Sequence, residues 1–173
     1  NVIQKLNPSQ LLINKDQSYD SIAISLLNAY KNNEHEKEIT NAFKSAGTKY
    51  ISASTDLFPF SHYLRRTQTA VVNAYLDPVL DVYLNSISNT LQGGSLKVMT
   101  STGSLAELNG FHAKDSLLSG PSGGMVAAAH KARQLGIDKV LTFDMGGTST
   151  DVARIDGEPE LKYITEIDGI EFH

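Results

Sequence analysis

The sequence predicts a mixed α/β fold, and three patterns support that prediction. The first pattern combines three segments: residues 21–27 are typical of a buried strand, residues 32–46 carry apolar side chains at helical spacing, and a second strand is predicted at residues 50–54. Strand, helix and strand in this order are typical of a parallel sheet. The other two patterns are an alanine-rich helix over 121–136 and a tight β-hairpin over 140–153.

Length and composition limit the classes of protein to consider. The 173 residues are 40% hydrophobic, enough to bury the core of one domain or two small ones. A net charge of −4 makes nucleic acid and anionic membranes poor partners, and no apolar run approaches the roughly 18 residues of a membrane helix. The absence of cysteine is compatible with a cytoplasmic protein. Because the chain lacks an initial Met and stops at His173, just after an incoming strand, we expect a fragment of a longer protein.

Glycine and proline mark the ends of further elements. Gly47 is expected to end the first helix. A long helix with a broad apolar face is predicted over 67–91, with a bend at Pro78, whose ring removes one hydrogen bond. A strand follows at 95–100, and the loop at 101–104 lies at its carboxyl end, where open α/β sheets place ligands. The first 19 residues indicate only a packed connector or a brief strand.

The tip of the predicted hairpin is suited to phosphate. Gly146 and Gly147 can adopt backbone angles closed to other residues, so their amides can converge on an anion, and Thr148 adds a hydroxyl donor. Asp144 and Asp151 lie on the incoming and outgoing strands, so we expect both carboxylates to face one site. Such a pair suits a hydrated Mg²⁺. An ordinary glycine turn with solvated aspartates is the alternative.

The order of these elements resembles the start of the second half of the actin-like ATPase fold. The sequences of the motifs are more similar to one branch of this superfamily, the hydantoinase A and 5-oxoprolinase family. The signature of that family is Ser-Gly-Pro followed by Phe-Asp-Met-Gly-Gly-Thr-Ser-Thr-Asp-Val. Here these residues are 119–121 and 143–152. The resemblance extends through residues 66–67, 73–76 and 156–159.

The resemblance implies how the chain is divided. Residues 1–120 correspond to the later part of a first lobe, 121–136 to the helix between lobes, and 137–173 to the start of a second lobe with a phosphate-binding hairpin. Proteins of this fold bind ATP between the lobes with one such hairpin from each. Since no second Asp-x-Gly-Gly-Thr occurs here, the isolated chain is expected to hold about half a nucleotide site and to be inactive.

For the parent protein, the resemblance implies ATP-dependent hydrolysis of a cyclic amide, such as a hydantoin or 5-oxoproline. Phosphorylation of the amide oxygen would produce an activated species that water attacks. Asp144 and Asp151 are the implied catalytic residues and Mg²⁺ ligands. The residues implied to hold ATP phosphates are Gly146, Gly147, Thr148 and Ser149. Some family members work with a companion subunit of different sequence, so such a partner is also implied.

Several alternatives stay open at this point. The alternatives for the parent are an acetone carboxylase-like subunit and a nucleotide-switched binding protein such as the actin-like chaperones and filament proteins. Residues 120–124 also match the G-x-S-x-G elbow of serine hydrolases, with Ser122 as nucleophile. A serine nucleophile needs a histidine base within hydrogen-bond reach. His130 lies two helical turns from Ser122, and His173 is the final residue, so neither is well placed. Close packing by a small side chain is therefore the favoured role of Ser122.

Two further groups of residues have side chains that can bind ligands. Arg65 and Arg66 are a compact cationic pair that suits a carboxylate or phosphate, although a salt bridge at the start of a helix is favoured. The five histidines lack the spacing of a zinc site.

Overall fold

The computed structural model describes residues 19–91, 93–157, 165–167 and 169–172. The chain divides into two compact units, residues 1–83 with 163–173, and residues 84–162. The prediction for residues 1–19 lies, except for Tyr19, outside the described residues. The division into lobes at 120 and 137 stays a prediction.

The first unit contains the predicted strand, helix and strand. Strands β1 (Ser21–Ile24) and β2 (Tyr50–Ala53) are parallel, and helix α1 (Glu34–Ser45) connects them. Gly47 follows α1 with a φ of 94°, and the amides of Gly47 and Thr48 bond back to the last turn of the helix. This is the glycine-terminated helix end that the sequence predicts.

Strand β1 is shorter than predicted. It ends at Ile24, and Leu27 is exposed. The backbone of Leu26 is engaged by side chains: its N–H donates to Glu36, and its carbonyl accepts from Arg66. Because both backbone groups of Leu26 are bonded to side chains, neither is available to extend the ladder with β2.

Strand β2 leads into a short helix α2 (Ser54–Leu57) and then into the long helix α3 (Tyr63–Thr90). Pro78 lies inside α3. The apolar face predicted for α3 is buried only in part: Ala74 is buried, whereas Val71 and Tyr75, which belong to the same predicted face, are exposed. The buried side chains of α3 are small or polar: Arg66, Thr69, Ala70, Asn73 and Ala74.

Polar pairing explains why this face of α3 can be buried. The Asn73 side chain donates to Ser52 Oγ at 3.0 Å and to Asp77 Oδ2 at 2.9 Å. Buried polar groups are tolerated when they are hydrogen-bonded. A hydrophobic pattern alone does not reveal such a face. Strands β7 (Thr165–Ile167) and β8 (Ile170–Phe172) complete the described part of this unit as an antiparallel hairpin.

The described part of the second unit contains the end of α3, two antiparallel hairpins and one further α-helix. Strands β3 (Lys97–Met99) and β4 (Leu105–Glu107) form the first hairpin, so residues 101–104 are its turn. Short 3-10 turns at Leu108–Gly110 and Ala113–Ser116 lead to helix α4 (Ser119–Gln134). Strands β5 (Lys139–Met145) and β6 (Thr150–Asp156) form the second hairpin, as predicted.

The described helices include none that is both long enough and apolar enough to cross a membrane.

Candidate functional site

The β5–β6 hairpin brings the two predicted aspartates together. Its register pairs Lys139 with Asp156 at one end and Met145 with Thr150 next to the turn. Asp144 lies directly opposite Asp151. Directly opposite residues point to the same face of a sheet, with Cβ atoms about 4.5–5.5 Å apart. The two carboxylates therefore lie side by side on one face, and one residue separates each of them from the turn.

The turn itself differs from the predicted geometry. Neither Gly146 nor Gly147 has a positive φ, so the expectation that left-handed backbone angles shape the tip is wrong. The turn spans residues 146–149 and is closed by a 2.9 Å bond from the Gly146 N–H to the Ser149 carbonyl. Loops of four residues are most often built around a type I turn, which needs no left-handed residue.

This closing bond affects which donors the tip can offer. The Gly146 N–H is already bonded within the turn. A Cβ built on Gly147 would meet no heavy atom within 4 Å, so open space surrounds that position. Among the predicted phosphate ligands, Gly147, Thr148 and Ser149 thus lie on an accessible tip, and Gly146 is engaged in holding its shape.

Helix α4 packs on the face of the hairpin that carries the carboxylates. A Cβ built on Gly124 would lie 3.7 Å from Asp144 Oδ2. A cavity of about 500 Å³ lies between α4 and the two strands. Its lining comes from α4 (Pro121, Gly124, Met125 and Ala128) and from the hairpin (residues 140–144 and 151–153). The site therefore joins a mainly apolar cleft to a pair of carboxylates.

The charge of the pair suits a cation. In the part of the chain that the structure describes, no three His, Cys, Asp or Glu side chains converge as metal ligands. Two carboxylates without further protein ligands match the requirement of Mg²⁺, which keeps several waters and binds through one or two carboxylates and substrate phosphates. The donor set thus fits a hydrated Mg²⁺ that is shared with phosphate.

Ser122 does not form a nucleophile elbow. Residues 120–124, which match the elbow motif, lie within α4: the helix starts at Ser119, and Pro121 falls in its first turn, where proline is tolerated. The Ser122 side chain is buried, and its hydroxyl donates to the Ser101 carbonyl at 2.6 Å. Ser122 thus has the packing role that the sequence favoured, and the structure gives no support to the serine hydrolase alternative. His130 contacts Gln134, and His173 lies outside the described residues.

Arg65 and Arg66 both bind other parts of the chain. Arg65 forms a salt bridge with Glu171. Arg66 is fully buried and donates to the carbonyls of Phe60, Leu26 and Leu27. The favoured prediction of a salt bridge therefore holds for Arg65, whereas Arg66 supports the backbone near the end of β1.

Glu36 is an important residue that sequence reasoning missed. Its fully buried carboxylate accepts hydrogen bonds from the Leu26 N–H, the Ser54 hydroxyl, and both the N–H and the hydroxyl of Thr55. Glu36 thereby ties together the segments that follow β1 and β2. The sequence carries no signal for this role, since a glutamate in the first turn of a helix is commonly solvated.

Comparison with known proteins supplies the family. A model of the Hydantoinase/oxoprolinase family matches residues 66–173. The chain belongs to the hydantoinase/oxoprolinase family. The matched range contains α4, the β5–β6 hairpin and both aspartates, and it confirms the resemblance recognised in the sequence.

Relatives within the family are 31–36% identical to the chain. The 5-oxoprolinase of Saccharomyces cerevisiae is 36% identical over 150 residues, which are 84% of this chain and 12% of the yeast protein. The acetone carboxylase beta subunit of Xanthobacter autotrophicus is 31% identical over 153 residues, 83% of this chain and 21% of that subunit. The chain thus spans about an eighth to a fifth of these relatives.

Two solved structures share the fold. The nucleotide-free structure of an acetone carboxylase, described as performing ATP-dependent acetone carboxylation, matches with a TM-score of 0.72 and 27% identity, over 87% of this chain and 22% of its own. The ATP-dependent caprolactamase from Pseudomonas jessenii matches with a TM-score of 0.66 and 30% identity. The match covers 78% of this chain and 20% of the caprolactamase chain. The mixed α/β fold is therefore shared with enzymes that use ATP.

Proposed function

We propose that this chain is a segment of an ATP-dependent enzyme that hydrolyses a cyclic amide, and that the β5–β6 hairpin supplies part of its ATP site. The observation that carries the proposal is the direct opposition of Asp144 and Asp151 beside a Gly-Gly-Thr turn. Membership of the hydantoinase/oxoprolinase family and the likeness to an ATP-dependent caprolactamase support it.

The residues of the hairpin divide the work between phosphate and metal. The accessible amides of Gly147 and Thr148, with the hydroxyls of Thr148 and Ser149, donate hydrogen bonds to phosphate oxygens. The Gly146 N–H keeps the turn closed. Asp144 and Asp151 would hold a hydrated Mg²⁺, which would supply positive charge beside the phosphates.

For the parent protein we infer the actin-like ATPase fold, with the ATP site between two lobes. The support is the order of elements in the second unit: a small-residue helix, a strand, an Asp-x-Gly-Gly-Thr turn and an antiparallel return strand. In that fold a second hairpin from the other lobe completes the phosphate site. This segment therefore contributes one half of the site.

The proposed substrate is a small cyclic amide. The names of the relatives and neighbours support this class, because 5-oxoprolinase and caprolactamase both name a lactam. The chemistry gives ATP a clear purpose: an amide is a poor electrophile, and phosphorylating its oxygen makes the carbonyl carbon open to attack by water. A companion subunit is part of the proposal, since one relative is named as a beta subunit.

Acetone carboxylation is the second candidate, favoured by the TM-score of 0.72 with acetone carboxylase. It shares the ATP chemistry and differs in the group that is activated, a ketone in place of an amide. The hairpin alone supports both candidates equally, because it serves the phosphates.

One assay separates the two. ADP release by the full-length parent, with its companion subunit, is measured with Mg²⁺ and each of hydantoin, 5-oxoproline, caprolactam, and acetone with bicarbonate. We expect a lactam or a hydantoin to stimulate ADP release. Stimulation by acetone and bicarbonate alone would establish the second candidate. ATP hydrolysis that ignores every compound would favour a nucleotide-switched binding protein, and a folded parent without ATP hydrolysis would refute both enzyme proposals.

A further inference from the structure

Two consecutive glycines in the interior of α4 have different neighbours. A glycine in a helix interior costs about 1 kcal/mol relative to alanine, so Gly123 and Gly124 weaken the helix that contains them. A Cβ on Gly123 would lie 3.6 Å from the apolar side chain of Met99. A Cβ on Gly124 would lie 3.7 Å from the carboxylate of Asp144. Only the second glycine therefore adjoins a group of the candidate site.

Packing does not require a glycine at position 124. Its φ is not positive, so an alanine meets no backbone strain there. A separation of 3.7 Å is an ordinary van der Waals contact, so a methyl group fits beside Asp144 without displacing it. Both helix propensity and packing thus permit alanine, and the lack of a side chain needs another reason.

The space beside the carboxylate supplies that reason. Gly124 and Asp144 both line the cleft between α4 and the hairpin. With no side chain on Gly124, Oδ2 of Asp144 stays open to water from the side of the helix. A methyl group in the same place would cover that side with carbon. A carboxylate that holds a metal through water needs its oxygens hydrated.

We propose that Gly124 is a positioning residue of the Mg²⁺ and phosphate site, and that it acts by keeping water at the α4 side of Asp144. The inference rests on the proposed function, because it assigns a purpose to Asp144 as a holder of hydrated Mg²⁺. It adds a residue from α4 to a site otherwise built from the hairpin. Helix α4 thereby becomes one wall of the nucleotide site.

The inference predicts opposite effects on stability and on metal binding. Gly124→Ala should raise the Tm of the unliganded protein, because alanine favours the helix. The same change should weaken binding of Mg·ADP about tenfold, the effect expected when the surroundings of a metal ligand are altered. Binding of ADP in the presence of EDTA should not change. If Gly124 served only packing, its replacement by alanine would not raise the Tm and at the same time weaken the binding of Mg·ADP.

Gly120→Ala is the matched control. Gly120 lies in the same helix, and a Cβ there would meet no heavy atom within 4 Å. The control makes the same change in side chain without approaching Asp144. Gly124→Val adds a bulkier group at the site and should weaken Mg·ADP binding further than alanine does.

The experiment uses the full-length parent protein and its glycine variants. Tm is recorded without ligand, with ADP and EDTA, and with Mg·ADP, and the Kd for Mg·ADP is measured by titration calorimetry. We expect the Tm increment from Mg·ADP to shrink in both Gly124 variants and to persist in Gly120→Ala, since a ligand stabilises by RT ln(1 + [L]/Kd).

The outcomes distinguish a failure of the proposed function from a failure of the role proposed for Gly124. A wild-type parent without any Mg·ADP effect overturns the proposed function, and the role of Gly124 with it. A wild-type effect with Gly124→Ala binding Mg·ADP within about twofold of wild type overturns the role of Gly124 alone. If the valine variant does not fold, the alanine variant decides the matter.

Discussion

Asp144 faces Asp151 across the hairpin and has the backbone of Gly124 beside it. Asp144→Asn keeps the size and shape of the side chain and removes its charge. ADP release by the parent is expected to fall about 10²-fold or more, the loss typical of removing one preorganised electrostatic contact to a transferring group. The circular dichroism spectrum and Tm should stay close to those of the wild type, because among the described residues the Asp144 carboxylate accepts no hydrogen bond.

Asp156→Asn provides the comparison for this change. Asp156 lies on the same hairpin at its far end, where it pairs with Lys139 and Arg154. These ion pairs are exposed and contribute little to stability. The control should therefore leave ADP release near the wild-type rate. ADP release by Asp144→Asn within about threefold of the wild type would remove Asp144 from the mechanism.

Among the elements, the ends of β1 and β2 depend on one buried carboxylate. Glu36→Gln places an amide NH₂ where the oxygens now accept four hydrogen bonds. Two donors then face each other, so we expect the first unit to lose about 2–3 kcal/mol of stability. Calorimetry of the parent should show a lower Tm for the corresponding transition.

Glu34→Gln separates this effect from the general loss of a negative charge in α1. Glu34 occupies the same first turn but is exposed, and among the described residues its carboxylate accepts a hydrogen bond only from Asn32. Its substitution should change the Tm little. If the two variants lower the Tm equally, the buried network is not what holds the strand ends.

At the scale of the whole chain, an apolar patch on the β5–β6 hairpin is expected to determine whether the isolated chain self-associates. Four side chains of this patch are between 63% and 75% exposed: Leu141, Phe143, Met145 and Val152. An exposed cluster of this kind favours association. We expect the isolated 173-residue chain to self-associate at micromolar concentration in light-scattering measurements. A double change of Leu141→Lys and Phe143→Lys should reduce the association, whereas Gln134→Lys should not. A monomeric wild-type chain would contradict this expectation.

Much of the fold could be predicted because its longer elements carry clear patterns. The parallel strands, α1, α3, α4 and the β5–β6 hairpin all follow from periodicity, glycine stops and turn residues. Strand β4 and helix α2 are three and four residues long, too short for a period to show. The end of β1 was misplaced because Glu36 and Arg66 take over its backbone partners, which is a tertiary effect.

The candidate site was predictable to a similar degree. Opposition of Asp144 and Asp151 follows from the symmetry of a hairpin around its turn. The bonded state of the Gly146 amide does not, because it depends on the turn type. The approach of Gly124 to Asp144 depends on how α4 packs on β5, which no local pattern contains.

Leu26 lies between two buried side chains of opposite charge. Its N–H donates to the Glu36 carboxylate and its carbonyl accepts from the Arg66 guanidinium, so each of the two peptide groups that flank Leu26 has a charged partner. The Leu26 amide hydrogen should therefore exchange with deuterated solvent as slowly as those of the neighbouring strands, although it belongs to no strand or helix. A segment classed as a loop would then behave, over hours, as part of the core.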